Sequence, residues 1–257
     1  MAIVIQGKTV FGPRPESIIN PAVQDGLVLN LDASNPSSYP GSGTTWFDLT
    51  SNNNNGTLTN GPTFDSANGG SIVFDGVDDY VDCNGLVSTV SNDNEGTIAT
   101  WVKPEDISGT YNRAFIVFSA TTLTRQYLSL AMNDTYNLYS NLRSTTNASS
   151  GFFVYTDSNP FVDNQWIYVA IVQDGVSPQL YVNGVAAAQT FLYPQNDQKW
   201  IDDLDSFDNV NIGRVFTSDL NQNYFDGNMS SITYYNRALS SSEVLQNYNA
   251  AKGKFGI

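Results

Sequence analysis

The stretch QWIYVAIVQDGVSPQLYVNGVAAA (165–188) decides the fold class. Its first part, up to Gln173, is apolar at consecutive positions, so both faces of an extended segment would be apolar. A run of that length bounded by turn residues predicts a central strand covered on both sides. Asp174-Gly175 ends it. Asn183-Gly184, flanked by apolar residues, is the strongest hairpin signal in the chain, because Asn and Gly take the positive φ that a tight hairpin turn demands.

The same grammar repeats on either side. GLVLNLDA (26–33) alternates apolar and polar residues, and GTIATWVKP (96–104) does so until proline stops it. RAFIVFSA (113–120), RQYLSLAM (125–132), YNLYSNLRS (136–144), GFFVYTD (151–157), NVNIGRVF (209–216) and GNMSSITYYNRA (227–238) supply further strands. Asn55-Gly56 and Asn60-Gly61, in the Asn-rich stretch 50–64, suit left-handed turn positions. One helix is marked in LSSSEVLQNYNAAKGKF (239–255). Ser240 and Glu243 form a capping box, Val244, Leu245, Tyr248 and Ala251 recur at helical spacing, and Gly253 stands where a terminating glycine belongs. These segments predict an all-β fold: an antiparallel two-sheet sandwich of roughly a dozen strands with one short C-terminal helix.

Composition narrows the function. The chain has 257 residues and a net charge of −14, with 25 acidic and 11 basic residues. Such a balance opposes binding to phosphate backbones or anionic lipid, so neither nucleic acid nor membrane is an expected partner. No run approaches membrane-spanning length, and the first residues are too polar for a secretory signal. Histidine is absent, which removes Ser-His-Asp and Cys-His catalysis and every histidine-ligated metal. Any metal would be a hard cation held by oxygen, calcium first. The single cysteine, Cys83, reads as a small core residue.

Residues 1–25 read as an N-terminal arm and 26–257 as the sandwich. MAIVIQG (1–7) is a short β-prone run, and FGPRPES (11–17) is extended because each proline biases its predecessor away from helix. The run is either an edge strand of the main domain or an arm that pairs with a neighbouring subunit.

Four stretches carry a resemblance: SIVFDGVDDYVDC (71–83), GTIATWVKP (96–104), QWIYVAIVQDGVSPQLYVNGVA (165–186) and FDGNMSSITYYNRALSSSEVLQNY (225–248). In this order they resemble the laminin-G-like, concanavalin A-like jelly-roll superfamily, over about residues 26–250. The resemblance implies two curved antiparallel sheets packed face to face, binding rather than catalysis in most members, frequent binding of sugars and a frequent structural calcium. Such domains are also similar to virion proteins of tailed phages. Glucanases of the superfamily carry paired glutamates in an E-x-D-x-E arrangement on one strand. Here Glu16, Glu95, Glu105 and Glu243 lie in unrelated surroundings, so no catalytic pair is expected.

The turn in 71–83 is either a solvated acidic turn or a calcium site. The candidate ligands are Asp75, Asp78, Asp79 and, from the second acidic turn, Asp226. Relatives often begin the following strand with acidic residues that add to the metal site; here those positions are Ser230 and Ser231. The run DDLDSFD (202–208) lacks the pattern of an EF-hand. Trp101 and Trp166 sit in apolar strands and read as packing. Trp200 lies in a polar loop, where it would either stack on a sugar or anchor the loop; Tyr111 and Tyr193 are weaker candidates for stacking.

Two functions follow as expectations, neither enzymatic. The first is a structural protein of the virion surface, a capsid decoration or fibre-associated module. It would dock to other virion proteins or sister subunits through Ile3, Val4, Ile5, Val10 and Phe11 of the arm. The second is a carbohydrate-binding adhesion module that recognises a cell-surface glycan.

Overall fold

The computed structural model describes residues 2–5, 8–11, 21–105, 112–144, 151–193, 197–216 and 223–257; of the first two segments it describes the backbone alone. Strands β1 (Ala2–Ile5) and β2 (Lys8–Phe11) pair with each other and stand outside both large sheets. The chain then forms β3 (Leu27–Asp32), β4 (Thr45–Trp46), β5 (Gly56–Thr59), β6 (Thr63–Asp65), β7 (Ser71–Asp75) and β8 (Tyr80–Asp82). A one-turn helix α1 (Val87–Val90) leads to β9 (Gly96–Pro104), β10 (Arg113–Ser119), β11 (Tyr127–Met132), β12 (Leu138–Arg143) and β13 (Phe152–Thr156). Next come β14 (Ile167–Gln173), β15 (Gln179–Val182), β16 (Val185–Ala186), β17 (Gln189–Tyr193), β18 (Asn209–Ile212), β19 (Asp226–Tyr235) and helix α2 (Ser241–Ala251).

One sheet has nine strands in the order β17-β13-β12-β11-β10-β18-β8-β5-β4. The other has eight, β16-β15-β14-β9-β19-β7-β6, with β3 also paired to β19. The described pairings in both are antiparallel. The strands outnumber the expected dozen because pieces such as Thr45–Trp46, Thr63–Asp65 and Val185–Ala186 span two or three residues, too few to display a period. As expected, β14 is buried at every position, held between β9 and β15. Asn183 (φ 49°) and Gly184 (φ 80°) make its hairpin partner turn back. The Asn-rich segment departs in detail: Asn60 and Gly61 take positive φ, whereas Gly56 opens β5 and the left-handed residue before it is Asn53, three positions earlier.

The core lies between the sheets. Leu29, Leu31, Trp46, Phe74, Phe115, Phe118 and Phe225 are fully buried there, each contributing about 1.5–3 kcal/mol. Cys83 is buried among them, and desolvation pushes its thiol far above the ordinary value, so it is a core filler and not a nucleophile.

A second apolar layer covers the outer face of the eight-stranded sheet. Trp101, Tyr168, Tyr181 and Tyr235 project there and meet Val244 and Tyr248 of α2. The Trp101 and Tyr248 rings stack at 5.5 Å and 17°, and Phe255 lies 4.3 Å from Trp101. Trp166 is half-buried against Phe255 at 4.6 Å, a packing role as expected. The capping box forms: the Ser240 hydroxyl accepts from Glu243 N–H (3.3 Å), and the Glu243 carboxylate accepts from Ser240 N–H (2.8 Å). Arg237 grips the same carboxylate with two N–H groups, at 2.6 and 3.1 Å. The helix runs on into a short 3-10 turn, and the left-handed residue is Gly256 (φ 73°), not Gly253. Residues 21–25 also dock on this layer: Val23 is buried and donates its N–H to Asn247 (2.8 Å), while Pro21 O accepts from Gln246.

Candidate functional site

The acidic turn connects β7 to β8, and the carboxylates of Asp75, Asp78 and Asp79 lie within 4.8 Å of one another. Local geometry explains the gathering. The Asp75 carboxylate accepts from the N–H groups of Val77 (2.9 Å) and Asp78 (3.3 Å), which folds the turn back on itself. The Asp79 carboxylate accepts from Asp75 N–H (3.1 Å) and is almost fully buried. Desolvation raises the Asp75 pKa, but the backbone donors outweigh it and hold the group below its ordinary value. Asp79 is raised, by burial first and then by the charges of Asp75 and Asp78. Asp226 opens β19 directly across the ladder from Asp75, so the backbone brings all four sequence candidates to one corner. The carboxylate cluster itself contains three of them. An all-oxygen donor set of this kind fits calcium in ligand type.

Trp200 corrects a sequence expectation. It is fully buried between the sheets and offers no surface to a sugar. Its indole N–H donates to the Tyr234 hydroxyl (3.1 Å), which donates to Asp93 (3.0 Å). The ring lies so close to Gly96 that a Cβ there would meet Nε1 at 2.6 Å. The loop is therefore anchored by its indole, since burying so large a ring with its N–H satisfied outweighs leaving it in water. Burial pushes the Tyr234 hydroxyl far up, and burial with the nearby Asp202 charge raises Asp93 despite the Tyr234 bond.

Tyr111 lies outside the described residues. The backbone of Tyr193 pairs with Phe153, which sets it at the edge of the nine-stranded sheet. The arm candidates Ile3, Val4, Ile5, Val10 and Phe11 lie on β1 and β2, where register pairs Ile3 with Val10.

The outer face of the nine-stranded sheet holds a group that the sequence reading did not single out. Alternation aims Tyr127, Ser129 and Ala131 of β11, Tyr139, Asn141 and Arg143 of β12, and Phe153 and Tyr155 of β13 to one side. Tyr139 and Phe153 stack at 5.3 Å and 17°, and Phe153 meets Tyr155 at 6.1 Å. The Asn141 amide, directly opposite Phe153, donates to the Tyr127 hydroxyl (2.8 Å). Tyr139 is buried, whereas Asn141, Arg143, Phe153 and Tyr155 are half-buried. The same face extends through Asn211, which accepts from Arg214 Nε (3.0 Å); that guanidinium lies 3.4 Å from the Tyr80 ring centre. The signal was present as aromatic and polar residues two apart in adjacent strands. Which face they share depends on register, and register is long-range.

In the strands of this sheet Asp82 is the one acidic residue among the described residues. Glu95 and Glu105 flank β9 in the other sheet, and Glu243 lies on α2.

The family model described as the concanavalin A-like lectin/glucanases superfamily matches residues 75–245. No curated protein matches the sequence. Among solved structures, the CBM40 of Ruminococcus gnavus IT-sialidase bound to α2,3-sialyllactose aligns with a TM-score of 0.58 at 19% identity, covering 68% of this chain and 94% of that one. Domain 4 of AbnA, a GH43 extracellular arabinanase from Geobacillus stearothermophilus in complex with arabinotriose, aligns at 0.55 and 18%, covering 86% and 98%. Trypanosoma rangeli sialidase aligns at 0.61 and 15%, covering 88% of this chain and 33% of its own. At these identities the likeness is one of fold.

Proposed function

The chain belongs to the concanavalin A-like lectin/glucanases superfamily, and from that premise we propose that it is a non-enzymatic carbohydrate-binding module. The binding surface in this reading is the outer face of the nine-stranded sheet. One observation carries it: register puts the half-buried Phe153 and Tyr155 on one face of the sheet with Asn141, directly opposite Phe153, and with Arg143, two residues further along β12. Sugars present apolar C–H faces ringed by hydroxyls, so an aromatic plane flanked by an amide and a guanidinium complements them. Two of the solved structures with this fold hold a saccharide, which adds to the reading. A non-catalytic role is supported by the single acidic residue on the strands beneath this face, because glycoside hydrolysis uses a pair.

A glycan array followed by calorimetry tests the proposal. Phe153→Ala should weaken the best glycan roughly tenfold or more, and no new reducing ends should form on prolonged incubation. Equal affinity in the variant would place recognition elsewhere; hydrolysis would overturn the non-enzymatic reading.

Calcium at the acidic turn belongs to the same proposal. Asp75, Asp78 and Asp79 would hold the ion, which would offset the mutual repulsion that adds to burial in raising Asp79. The β1–β2 hairpin supports a second reading, docking to a neighbouring virion subunit. Its two strands pair with each other and leave their outer edges for another chain. Full decoration of particles by a protein lacking residues 1–20 would remove that reading.

A further inference from the structure

The chain contains five Asn-Gly pairs, beginning at Asn55, Asn60, Asn68, Asn84 and Asn183. Each carries a latent reaction, attack of the glycine nitrogen on the asparagine side-chain carbonyl carbon. Glycine favours it because, without a Cβ, it neither shields its own nitrogen nor resists the backbone rotation that brings that nitrogen into line. How firmly the fold holds the amide and the glycine then decides which pair reacts.

Four of the five are held. The Asn84 amide oxygen accepts from Val210 N–H (2.8 Å) and from the Asn209 amide (3.1 Å), and its nitrogen donates to Asp82 (3.0 Å). Asn68 is fixed at both ends, accepting from the Trp166 indole and donating to Lys254 O, each at 3.2 Å. Asn55 accepts from Asp48 N–H (2.8 Å), and Gly56 is buried in β5, where an added Cβ would meet Val81 at 2.6 Å. Asn183 accepts from Tyr168 N–H (3.0 Å), and Gly184 is buried against Leu245 and Tyr248 of α2.

Asn60 differs. Asn60 and Gly61 cross from β5 in one sheet to β6 in the other, and both are exposed, with φ of 69° and 125°. The Asn60 side chain makes one hydrogen bond among the described residues, from its nitrogen to Asp78 O (2.9 Å). The Gly61 N–H makes none among them. That single bond also sets the amide against the acidic turn. A Cβ built on Gly61 would lie 3.7 Å from Asp79 Oδ1, and the carboxylates of Asp75, Asp78 and Asp79 lie within 4.8 Å of one another.

We propose that Asn60 is a site of spontaneous deamidation, through which the acidic corner gains a fourth carboxylate as the protein ages. The Gly61 nitrogen bonds to Asn60 Cγ while the Cγ–Nδ2 bond breaks. Ammonia leaves with the Gly61 proton, and a cyclic imide remains. Water opens the imide at either carbonyl, giving aspartate or isoaspartate. Both products exchange a neutral donor to Asp78 O for a negative charge that this carbonyl repels. The reaction needs no bound group or second protein, and it stands whether or not the corner holds calcium.

Peptide mapping by mass spectrometry tests it, on the full chain kept folded in neutral buffer with a chelator and on the same chain unfolded in urea. Unfolded, the five pairs should convert at similar rates. Folded, Asn60 should convert first, about tenfold or more ahead of Asn84, which would have to give up two more hydrogen bonds. Asn60→Gln, which must close a larger ring, should abolish the first conversion. Asn60→Asp should unfold at a lower urea concentration than the wild type in the chelated buffer, because it loses the bond to Asp78 O and adds a like charge. The proposal fails if another pair converts first in the folded chain, or if Asn60 is intact once the unfolded chain has converted. An Asn60→Asp variant as stable as the wild type would refute the placement of the new charge at the acidic corner.

Discussion

Replacing Glu243 by glutamine isolates the charge that fastens α2 to the sandwich. Gln keeps the shape of the capping box and can still accept from Ser240, but it cannot form the charged fork with Arg237. That fork, with N–H···O distances of 2.6 and 3.1 Å, is the main reason the Glu243 carboxyl falls from its ordinary 4.5 to about 2; burial works against it, and the Ser240 bonds add to it. A depression of this size corresponds to an upper limit of about 3.4 kcal/mol at neutral pH. The two side chains are 24% and 30% exposed, so solvent screening reduces the figure to about 1–2 kcal/mol. The folded-state pKa is the lower one. The contribution is therefore complete above the unfolded value near 4.5 and is lost as pH falls toward 2. Urea denaturation of the wild type and E243Q at pH 7, 5, 3.5 and 2.5 should show a gap of about 1–2 kcal/mol at the two higher values that closes at the lowest. A gap that stays constant with pH, or no gap at pH 7, would refute the assignment of this energy to the ionised fork.

Trp200→Phe should leave glycan affinity unchanged while lowering stability by about 1–3 kcal/mol, because it removes the buried bond to the Tyr234 hydroxyl, which keeps only its bond to Asp93, and leaves a void where the indole was; chemical denaturation and calorimetry separate the two effects. Millimolar calcium should raise the melting temperature of the wild type, and Asp79→Asn should remove that rise, both read by differential scanning fluorimetry with a chelator control. In calcium-free buffer the same substitution should be neutral or stabilising at pH 7. The raised pKa of Asp79 means that the folded state binds its proton more tightly, so ionisation there weakens the fold as pH climbs, the reverse of Glu243.

Much of this architecture is local and therefore readable in the chain. The unbroken apolar run 167–173, the Asn183-Gly184 turn and the Ser240–Glu243 box each specify structure through neighbours a few residues away. The acidic corner was also legible, since Asp75 to Asp79 fall within one turn and the turn's own N–H groups shape it. Trp200 was not. Its loop is polar in sequence, and the residues that bury it, Gly96 and Tyr234, are more than thirty residues or more than a hundred residues away. The aromatic face failed to announce itself for a related reason. Tyr139, Asn141 and Phe153 become neighbours only once β12 and β13 are in register, and a one-residue slip of β13 would send Phe153 to the core, away from Tyr139 and Asn141.

The pairing of β3 with β19 has a consequence for how the molecule is made. Asp32 lies beside Ser231, so about 200 residues must be synthesised before the first sandwich strand finds its partner. At about 5–20 residues per second, that is on the order of 10–40 s during which an apolar segment remains unmatched on the ribosome. The strand that joins β3, β7 and β9 is the last strand of this sandwich to be translated. A nascent chain released before residue 235 would thus lack the centre of its sheet rather than its margin, and chaperones would meet it as an open sheet instead of a shortened domain.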